Sequence, residues 1–247
     1  YRPVGGYGQL FEYLLTEILT HRATIHLESR VCSIEWARGE VRVLTAREEF
    51  SADNVIVTSS LGNLQTNAIQ FSPGIDHSGF PKIGFGEVIK FAMEFESAFW
   101  EETHPDLGFL FTDDGFTFWT QLQMRKPMLV GWIGNDHTPE YAKWSDEKII
   151  SVAISHLQKA FPKPDIAKSL RKSIVFKYDR SSPSGGGYSW TTPESKRAIL
   201  EINKGIEDTI WFAGEAFQSK GDVGTVEAAF QSGRYIARKV FKNFTRK

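Results

Sequence analysis

Cysteine is almost absent from this chain, and so are the residue spacings typical of metal sites. The one cysteine, Cys32, excludes an intramolecular disulfide and any zinc site built on cysteines. The six histidines are scattered, with no His-Glu-x-x-His spacing, so we predict no metal site. A single cysteine fits a reducing compartment, and a cytoplasmic location is therefore favoured.

Basic blocks and long apolar runs are missing as well. The formal net charge is −1, and the lysines and arginines form no extended stripe. The chain therefore lacks the electrostatic footprint of a nucleic-acid-binding protein. No run of about 18 apolar residues occurs, so no segment is predicted to span a membrane. We expect neither nucleic acid nor a membrane as a partner.

The composition is that of a globular protein with a sizeable core. The chain has 247 residues, of which 41% are hydrophobic and 24% charged. The aromatic content of 13% suits a cavity lined by rings, and it suits an ordinary β-rich core equally well. The chain starts Tyr1-Arg2-Pro3-Val4, with no initiator Met and no signal-peptide pattern. We interpret it as a fragment, a processed subunit or a recombinant piece.

The first 60 residues predict one helix followed by strands. Apolar residues recur with helical spacing over residues 9–19. Strands are predicted at residues 24–27, 31–36, 41–45 and 54–59, with a hairpin turn at 37–40. Because residues 55–57 are wholly apolar, we expect that strand to be buried on both faces.

The middle of the chain predicts a sheet and one long helix. Residues 72–74 and 79–81 read as linkers, and strands are predicted at 88–95, 109–123 and 128–133 with a turn at 125–127. Ser145 is a predicted N-cap for a helix that runs to about Phe161. The serine- and glycine-rich residues 181–187 are predicted to form a loop.

The end of the chain predicts a strand, a glycine-containing loop and a helix. The strand covers residues 209–213 and the helix begins at about Thr225. Gly214, Gly221 and Gly224 permit close approach of a ligand to the backbone, and a helix N-terminus suits an anion or an electron-rich carbonyl. An ordinary strand–helix turn of a doubly wound sheet would look the same.

The other motifs of nucleotide and hydrolase sites are absent. No Gly-x-Ser-x-Gly elbow and no P-loop occurs. The dinucleotide fingerprint fails twice, because Phe11 and Ile89 occupy its third glycine position. The chain therefore has no complete pyrophosphate cradle of its own.

Several segments together resemble the flavin-containing amine oxidase family, which includes monoamine oxidases, polyamine oxidases and flavin-dependent histone demethylases. They appear in family order and span nearly the whole chain. The matching segments are Gly5-Gly6-Tyr7-Gly8-Gln9-Leu10, Asn54-Val55-Ile56-Val57-Thr58-Ser59-Ser60-Leu61-Gly62, Ile69-Gln70-Phe71-Ser72-Pro73, Gly84-Phe85-Gly86-Glu87-Val88-Ile89-Lys90 with Phe99-Trp100, Ser184-Gly185-Gly186-Gly187-Tyr188-Ser189-Trp190, Trp211-Phe212-Ala213-Gly214-Glu215 and Gly224-Thr225-Val226-Glu227-Ala228-Ala229.

The resemblance implies a fold of class α/β plus α+β. Both chain ends, residues 1–60 and 186–247, would form a partial, Rossmann-like FAD-binding domain around an inserted mixed-sheet substrate domain at 61–185. Family members open with a dinucleotide-binding unit that is not found in this sequence. We therefore expect the isolated chain to bind FAD poorly, and a separate N-terminal half is a candidate partner.

The resemblance also implies an oxidoreductase, part of an FAD-dependent amine oxidase. A small-molecule amine would pass hydride to flavin N5, water would hydrolyse the resulting imine, and O2 would reoxidise the flavin with release of hydrogen peroxide. Two alternatives stay open. The first is a non-catalytic interaction module that keeps the substrate-domain fold. The second is a related flavoenzyme acting on carotenoids or porphyrinogens, against which Lys90 argues.

The resemblance assigns two catalytic residues. Lys90 matches the lysine that holds a water against flavin N5, although a solvated lysine at a strand end would look the same. Tyr188 matches an aromatic wall beside the flavin, where a ring attracts an amine by a cation–π interaction; a packed core tyrosine is the alternative. The second aromatic wall of monoamine oxidases falls at Thr225, so the two-ring cage is not reproduced. This departure favours the polyamine oxidase and demethylase side of the family, or a relative outside both of these groups.

The remaining assigned residues are cofactor contacts. Glu215 matches an acidic residue near the ribityl–phosphate region, and Val31 matches a strand position that meets the adenine. Gly187 stands where monoamine oxidases carry the cysteine that attaches flavin, so FAD is expected to be bound non-covalently. The other predicted cofactor-binding residues belong to the matched flavin segments, with the last three at the helix start under the flavin N1–C2=O edge: Trp190, Gly214, Gly224, Thr225 and Val226.

Overall fold

The computed structural model describes residues 6–121, 126–134, 136 and 138–244. Gly5 of the first matched segment and Arg125 of the predicted turn lie outside these residues, as do the last two residues of the strand predicted at 109–123. The helices are α1 Gly8–Thr20, α2 Leu61–Gln65, α3 Thr138–Tyr141, α4 Asp146–Ala160, α5 Ile166–Ser169, α6 Ser195–Ile202 and α7 Val226–Phe244. Short 3-10 helices cover Phe80–Lys82, Phe99–Glu102 and Glu215–Phe217.

The strands fall into four sheets among the described residues. Their orders are β3-β2-β1-β5, β11-β7-β10-β9-β8, β12-β6 and β13-β4. The strands are β1 Val31–Ala37, β2 Glu40–Thr45, β3 Glu49–Ala52, β4 Val55–Val57, β5 Gln70–Ser72, β6 Gly84–Gly86, β7 Val88–Phe95, β8 Phe109–Phe111, β9 Thr117–Gln121, β10 Lys126–Ile133, β11 Leu170–Tyr178, β12 Tyr188–Trp190 and β13 Ile210–Phe212.

The five-stranded sheet is antiparallel throughout and has two different faces. Alternate side chains of β7, including Phe91, Met93 and Phe95, enter a core that α4 covers. The helix begins where the sequence predicts it, since the Ser145 hydroxyl accepts a hydrogen bond from the Lys148 N–H. Packing against α4 thus fixes which face of the sheet is left for other contacts.

A second core joins the small sheets to the end of the chain. It includes Ile34 of β1, Val57 of β4, Phe85 of β6, Ile199 of α6 and Phe212 of β13. These residues come from all three predicted domains, and the domain boundaries at 60 and 185 stay predictions. Nearby, the segment 79–81 is wrong as a linker, because Phe80 begins a 3-10 helix and is buried in this core.

The strand β4 pairs in parallel with β13. The expectation that it is buried on both faces is wrong: Val57 is 5% exposed but Ile56 is 40% exposed. Val57 lies in the second core, whereas Ile56 belongs to none of the core clusters among the described residues, and β13 is the only described strand that pairs with β4. A two-stranded parallel sheet with an open edge is unusual, because parallel sheets normally have several strands and two covered faces.

The strand predicted at residues 24–27 is wrong. That segment is irregular and no strand among the described residues pairs with it. Arg22 and Glu28 on either side have φ of +60° and +55°, the left-handed region, which interrupts an extended chain. Apolar residues alone do not make a strand without a partner edge. The strand predicted at 109–123 is split into β8 and β9 by a turn in which Gly115 has φ of +86°.

The helix α1 carries the predicted apolar stripe, yet none of its residues is buried. Phe11, Leu15 and Leu19 are all exposed. Just before the helix, the Tyr7 hydroxyl donates a hydrogen bond to Glu227 of α7. The stripe is therefore not covered by the residues that the structure describes.

One glycine tests the packing of the five-stranded sheet. A Cβ added at Gly131 of β10 would lie 2.0 Å from ring atoms of its cross-strand partner Phe91, which is fully buried. We expect Gly131→Ala to lower the free energy of unfolding by about 1–3 kcal/mol, the usual cost of overpacking. Urea denaturation measures this change. Gly74→Ala is the control, because its Cβ would meet nothing within 4 Å, and an equal loss in both variants would contradict the packing account.

Candidate functional site

Three of the predicted cofactor residues lie together at the carboxyl ends of β4 and β13. In parallel α/β sheets this is the edge at which ligands bind. A cavity of about 400 Å³ opens there and is lined by Gly187, Gly214 and Glu215, with Ser59 after β4 and Gly233 of α7. The structure therefore brings three of the predicted contacts together in one cleft.

Two larger cavities adjoin this one through shared residues. Thr58 and Ser59 also line a cavity of about 800 Å³ that contains Val31. Phe85 also lines a cavity of about 610 Å³ that contains Tyr188 and Trp190. The three cavities lie side by side from the start of β1 to β12 with shared lining residues, and we call this row the trough.

Small residues keep the centre of the trough open. Gly214 has φ of +150°, and a Cβ built there would have Phe217 as its nearest neighbour at 3.8 Å. A Cβ at Gly233 would meet nothing within 4 Å. Gly187 differs, because its Cβ would lie 2.6 Å from a Val88 methyl group. A larger residue at position 187 is excluded by packing unless Val88 moves.

The ring of Tyr188 lies between two elements. On one side a Cβ at Gly224 would come within 3.0 Å of the ring, so the loop before α7 lies close against it. On the other side the Trp132 ring stacks on it, with centroids 6.2 Å apart and 28° between the planes. Burial raises the pKa of the Tyr188 hydroxyl above its ordinary value of 10.0. The ring is thus partly desolvated and held in place.

Glu215 is hydrogen-bonded both to β12 and to the loop that precedes α7. Its carboxylate accepts hydrogen bonds from the Ser189 hydroxyl at 2.5 Å, the Gly224 N–H at 2.7 Å and the Ser189 N–H at 3.3 Å. The predicted contact of Glu215 with the ribityl–phosphate region stays a prediction. The bonds observed in the chain itself link β12 to the loop that precedes α7.

The helix α7 begins at Val226, one residue after the predicted start. The Thr225 hydroxyl caps it by accepting a hydrogen bond from the Ala228 N–H at 3.1 Å. Gly224, with φ of +75°, turns the chain into the helix. The three predicted residues 224–226 are therefore consecutive at a helix N-terminus beside Tyr188, where the helix dipole favours negative charge.

Trp190 packs across the neighbouring strand. It pairs with Gly84, and a Cβ at Gly84 or Gly86 would lie 2.4 Å from its indole ring. Trp190 as a whole residue is 47% exposed and lines the trough. The glycines of β6, which resemble half of a dinucleotide fingerprint in sequence, serve here to admit this ring.

Lys90 lies on the open face of the five-stranded sheet and its side chain is exposed. Its direct neighbours across the strands are Trp132 of β10 and Phe176 of β11. The Lys90 Nζ is 5.9 Å from the centroid of the Trp119 ring, within reach of a cation–π interaction. Since Trp132 stacks on Tyr188, one tryptophan connects the two predicted catalytic residues.

Trp132 and Ser189 belong to this arrangement and were missed by sequence reasoning. Trp132 falls in a predicted strand, but only the register of β10 against β7 places it beside Lys90. Ser189 lies between the assigned residues Tyr188 and Trp190, and its polar hydroxyl was the only feature of the sequence that could have indicated a role.

Among the described residues, no group of three or more His, Cys, Asp or Glu side chains is arranged to hold a metal ion. No described helix is long and apolar enough to cross a membrane.

The raised pKa of Tyr188 gives a pH test. The absorbance of tyrosinate is recorded against pH for the wild type and for Tyr188→Phe, and the difference between the two curves isolates Tyr188. We expect this difference to show one tyrosine with a midpoint above pH 10.0. Because burial favours the neutral form, the stability that Tyr188 contributes is complete below the unfolded pKa. It is lost as pH rises through the folded pKa. N-acetyltyrosinamide serves as the reference, and a Tyr188 midpoint at or below that of the reference would refute the burial.

Comparisons with known proteins identify the family. A family model described as flavin containing amine oxidoreductase matches residues 1–241. The chain is 29% identical to polyamine oxidase 4 of Oryza sativa subsp. japonica, over 93% of the chain and 48% of that protein. It is 25% identical to lysine-specific histone demethylase 1 homolog 3 of Arabidopsis thaliana, over 93% of the chain and 15% of that protein. The chain thus spans about half or less of these relatives.

Solved structures share the fold. Cyclohexylamine oxidase from Brevibacterium oxydans IH-35A superposes with a TM-score of 0.82 at 18% identity, over 97% of this chain and 53% of that chain. A putrescine oxidase variant gives a TM-score of 0.76 at 17% identity. The predicted α/β character with several sheets is confirmed by this likeness, whereas the partial Rossmann-like arrangement stays a prediction. With a family model matching nearly the whole sequence, the chain belongs to the flavin-containing amine oxidoreductases.

Proposed function

We propose that this chain is part of an FAD-dependent oxidase of alkyl amines. The observation that carries the proposal is the trough, which runs from Val31 past the ends of β4 and β13 to Tyr188. At that end it adjoins the sheet face that carries Lys90. A row of neighbouring cavities suits an extended dinucleotide, and an aromatic surface with one lysine suits the reacting end.

The residues of the trough fit a flavin dinucleotide. Gly214 and Gly233 leave open space in the central cavity, so a planar ring system can approach the backbone closely. Val31 is proposed for the adenine end, and residues 224–226 offer the positive end of α7. Glu215, Gly187 and Trp190 would complete the contacts. Since position 187 is a glycine and has no side chain to attach the flavin, binding is proposed to be non-covalent.

The chemistry divides between cofactor and chain. A bound flavin would supply the redox chemistry, with a hydride from the carbon next to nitrogen accepted at N5; these two electrons and two protons, the second proton coming from the amine nitrogen, would convert O2 to H2O2. The amine becomes an imine, and water hydrolyses it. The chain's part is to orient the amine, exclude bulk water and hold one water near Lys90.

The aromatic face of the sheet is the proposed amine-binding wall. Two cross-strand rows lie on it, and Lys90 is in the first. These rows are Phe111–Thr117–Trp132–Lys90–Phe176 and Phe109–Trp119–Val130–Ala92–Ile174. Rings on both sides of a lysine offer apolar surface to an alkyl chain and π faces to its ammonium group. The relatives named for polyamines, lysine, putrescine and cyclohexylamine all concern alkyl amines, which supports this substrate class.

Lys90→Met tests the reaction. Methionine keeps the unbranched apolar part of the side chain and removes the ammonium group that would hold the water. We expect amine-dependent H2O2 release by the native full-length protein to fall by about 10²-fold, the usual contribution of a positioned proton-transfer group. Lys159→Met, at an exposed position in the last turn of α4, is the control and should leave the rate unchanged. A wild-type rate in Lys90→Met would contradict the role of the lysine.

We also propose that a further polypeptide segment covers the bare surfaces of this chain. Three apolar surfaces are open among the described residues: the stripe of α1, the edge of β4 at Ile56 and the sheet face near Phe176. The relatives extend well beyond the matched region, so they contain sequence that this chain does not. A segment equivalent to their N-terminal half is the proposed occupant, and the third surface would then enclose the amine.

Leu15→Glu in α1 tests this covering. Leu15 is exposed, so the substitution should change the stability of the chain alone by no more than about 0.5 kcal/mol. Burying a carboxylate against an apolar partner is costly, so binding of a separately expressed N-terminal half should be lost. Gln9→Glu on the same helix is the control and should bind, as measured by calorimetry. Equal binding by both variants would contradict the proposed role of α1.

A further inference from the structure

We propose that Glu215 is a positioning residue that fixes the Tyr188 ring against the start of α7, an inference that rests on the proposed amine oxidation. One carboxylate oxygen, Oε2, accepts hydrogen bonds from both the Ser189 hydroxyl and the Gly224 N–H. The other, Oε1, accepts from the Ser189 N–H. The described contacts of Glu215 are thus with β12 and with the loop before the helix, and its positioning role acts through them, separately from its proposed contact with the cofactor.

Both partners of Glu215 are adjacent to the Tyr188 ring. Ser189 follows Tyr188 in β12, a strand of three residues that pairs only with β6 in the described chain. Gly224 lies against the ring itself. Any movement of β12 relative to the loop would therefore rotate or withdraw the ring. Such a short strand has few backbone hydrogen bonds of its own. A side-chain hydrogen bond that links it to the start of a helix therefore contributes strongly to holding it in place.

The chemistry of the site requires an acceptor with two oxygens. Ser189 is 2% exposed, so its hydroxyl would be left without an acceptor if the carboxylate were removed. Hydrogen bonds to a carboxylate are shorter and stronger than those to a neutral group, in keeping with the distances of 2.5 and 2.7 Å. A glutamine can keep both bonds at the Oε2 position, but its NH2 would then face the Ser189 N–H, donor against donor.

Hydrogen exchange tests the positional role without any activity. In Glu215→Ala we expect the Ser189 and Gly224 amides of the native protein to exchange at least about tenfold faster, because local opening becomes easier. Glu215→Gln should keep the Gly224 amide close to wild type and accelerate Ser189. Glu194→Ala, an exposed glutamate at the start of α6, is the control. If Glu215→Ala does not fold, Glu215→Gln and Ser189→Ala give the same comparison.

A double-mutant cycle that combines Glu215→Ala with Tyr188→Ala tests the link to the reaction. If Glu215 acts through the ring, Glu215→Ala lowers amine oxidation about tenfold or more in the wild type and much less in the Tyr188→Ala background. Equal losses in both backgrounds, or unchanged exchange at Ser189 and Gly224, would overturn the inference. If exchange is faster in Glu215→Ala but the unsubstituted protein itself oxidises no amine, the proposed function fails and the positioning role of Glu215 stands.

Discussion

The parallel pairing of β4 with β13 is the constraint on which the candidate site depends. The pair is short, yet bonds from the Val55 N–H to the Thr209 carbonyl and from the Ala213 N–H to the Val57 carbonyl extend it at both ends. The chain leaves β4 into Ser60, whose hydroxyl accepts from the Asn63 N–H and starts α2. It leaves β13 into Gly214 and Glu215. The central cavity forms because both strands end at the same edge and are followed by small residues.

Around this edge the chain divides its aromatic residues between two tasks. Phe91 and Phe95 face α4 and hold the five-stranded sheet together, while Trp132 and Phe176 on the opposite face remain available for contact. The alternation of a β-strand makes this division possible, since neighbouring residues point to opposite faces. The aromatic residues thus lie partly in the core and partly on the open sheet face. The composition alone could not decide between these two places.

Regular features with local causes could be predicted from sequence. The strand at 88–95 has the bounds of β7, and the Ser145 cap and the hairpin at Gly39, with φ of +76°, depend on residues close together in the chain. The strand at 24–27 and the burial of Ile56 were predicted wrongly, because both depend on which segments pack beside them, and local sequence does not reveal this. The strand β11 and the helix α6 were missed altogether.

The site shows the same division. Resemblance assigned Tyr188, Gly214 and Glu215, and the structure brings these residues to adjoining cavities. It could not supply Trp132, because cross-strand register decides which residue lies beside Lys90, nor the bonds of Glu215 to Ser189, which join segments 26 residues apart. Register and long-range hydrogen bonds follow from the folded arrangement and not from motif spacing.

The central claim is that the trough holds a flavin whose reacting end faces an amine bound on the sheet. Anaerobic titration of the native full-length protein with alkyl amines, followed by the absorbance of its bound flavin, tests this most directly. The account predicts that at least one of a polyamine, a diamine, cyclohexylamine or a lysine peptide bleaches the flavin, with one imine or its hydrolysis product formed per flavin reduced. A folded protein whose bound flavin stays oxidised with every amine, or that retains no flavin, would contradict it.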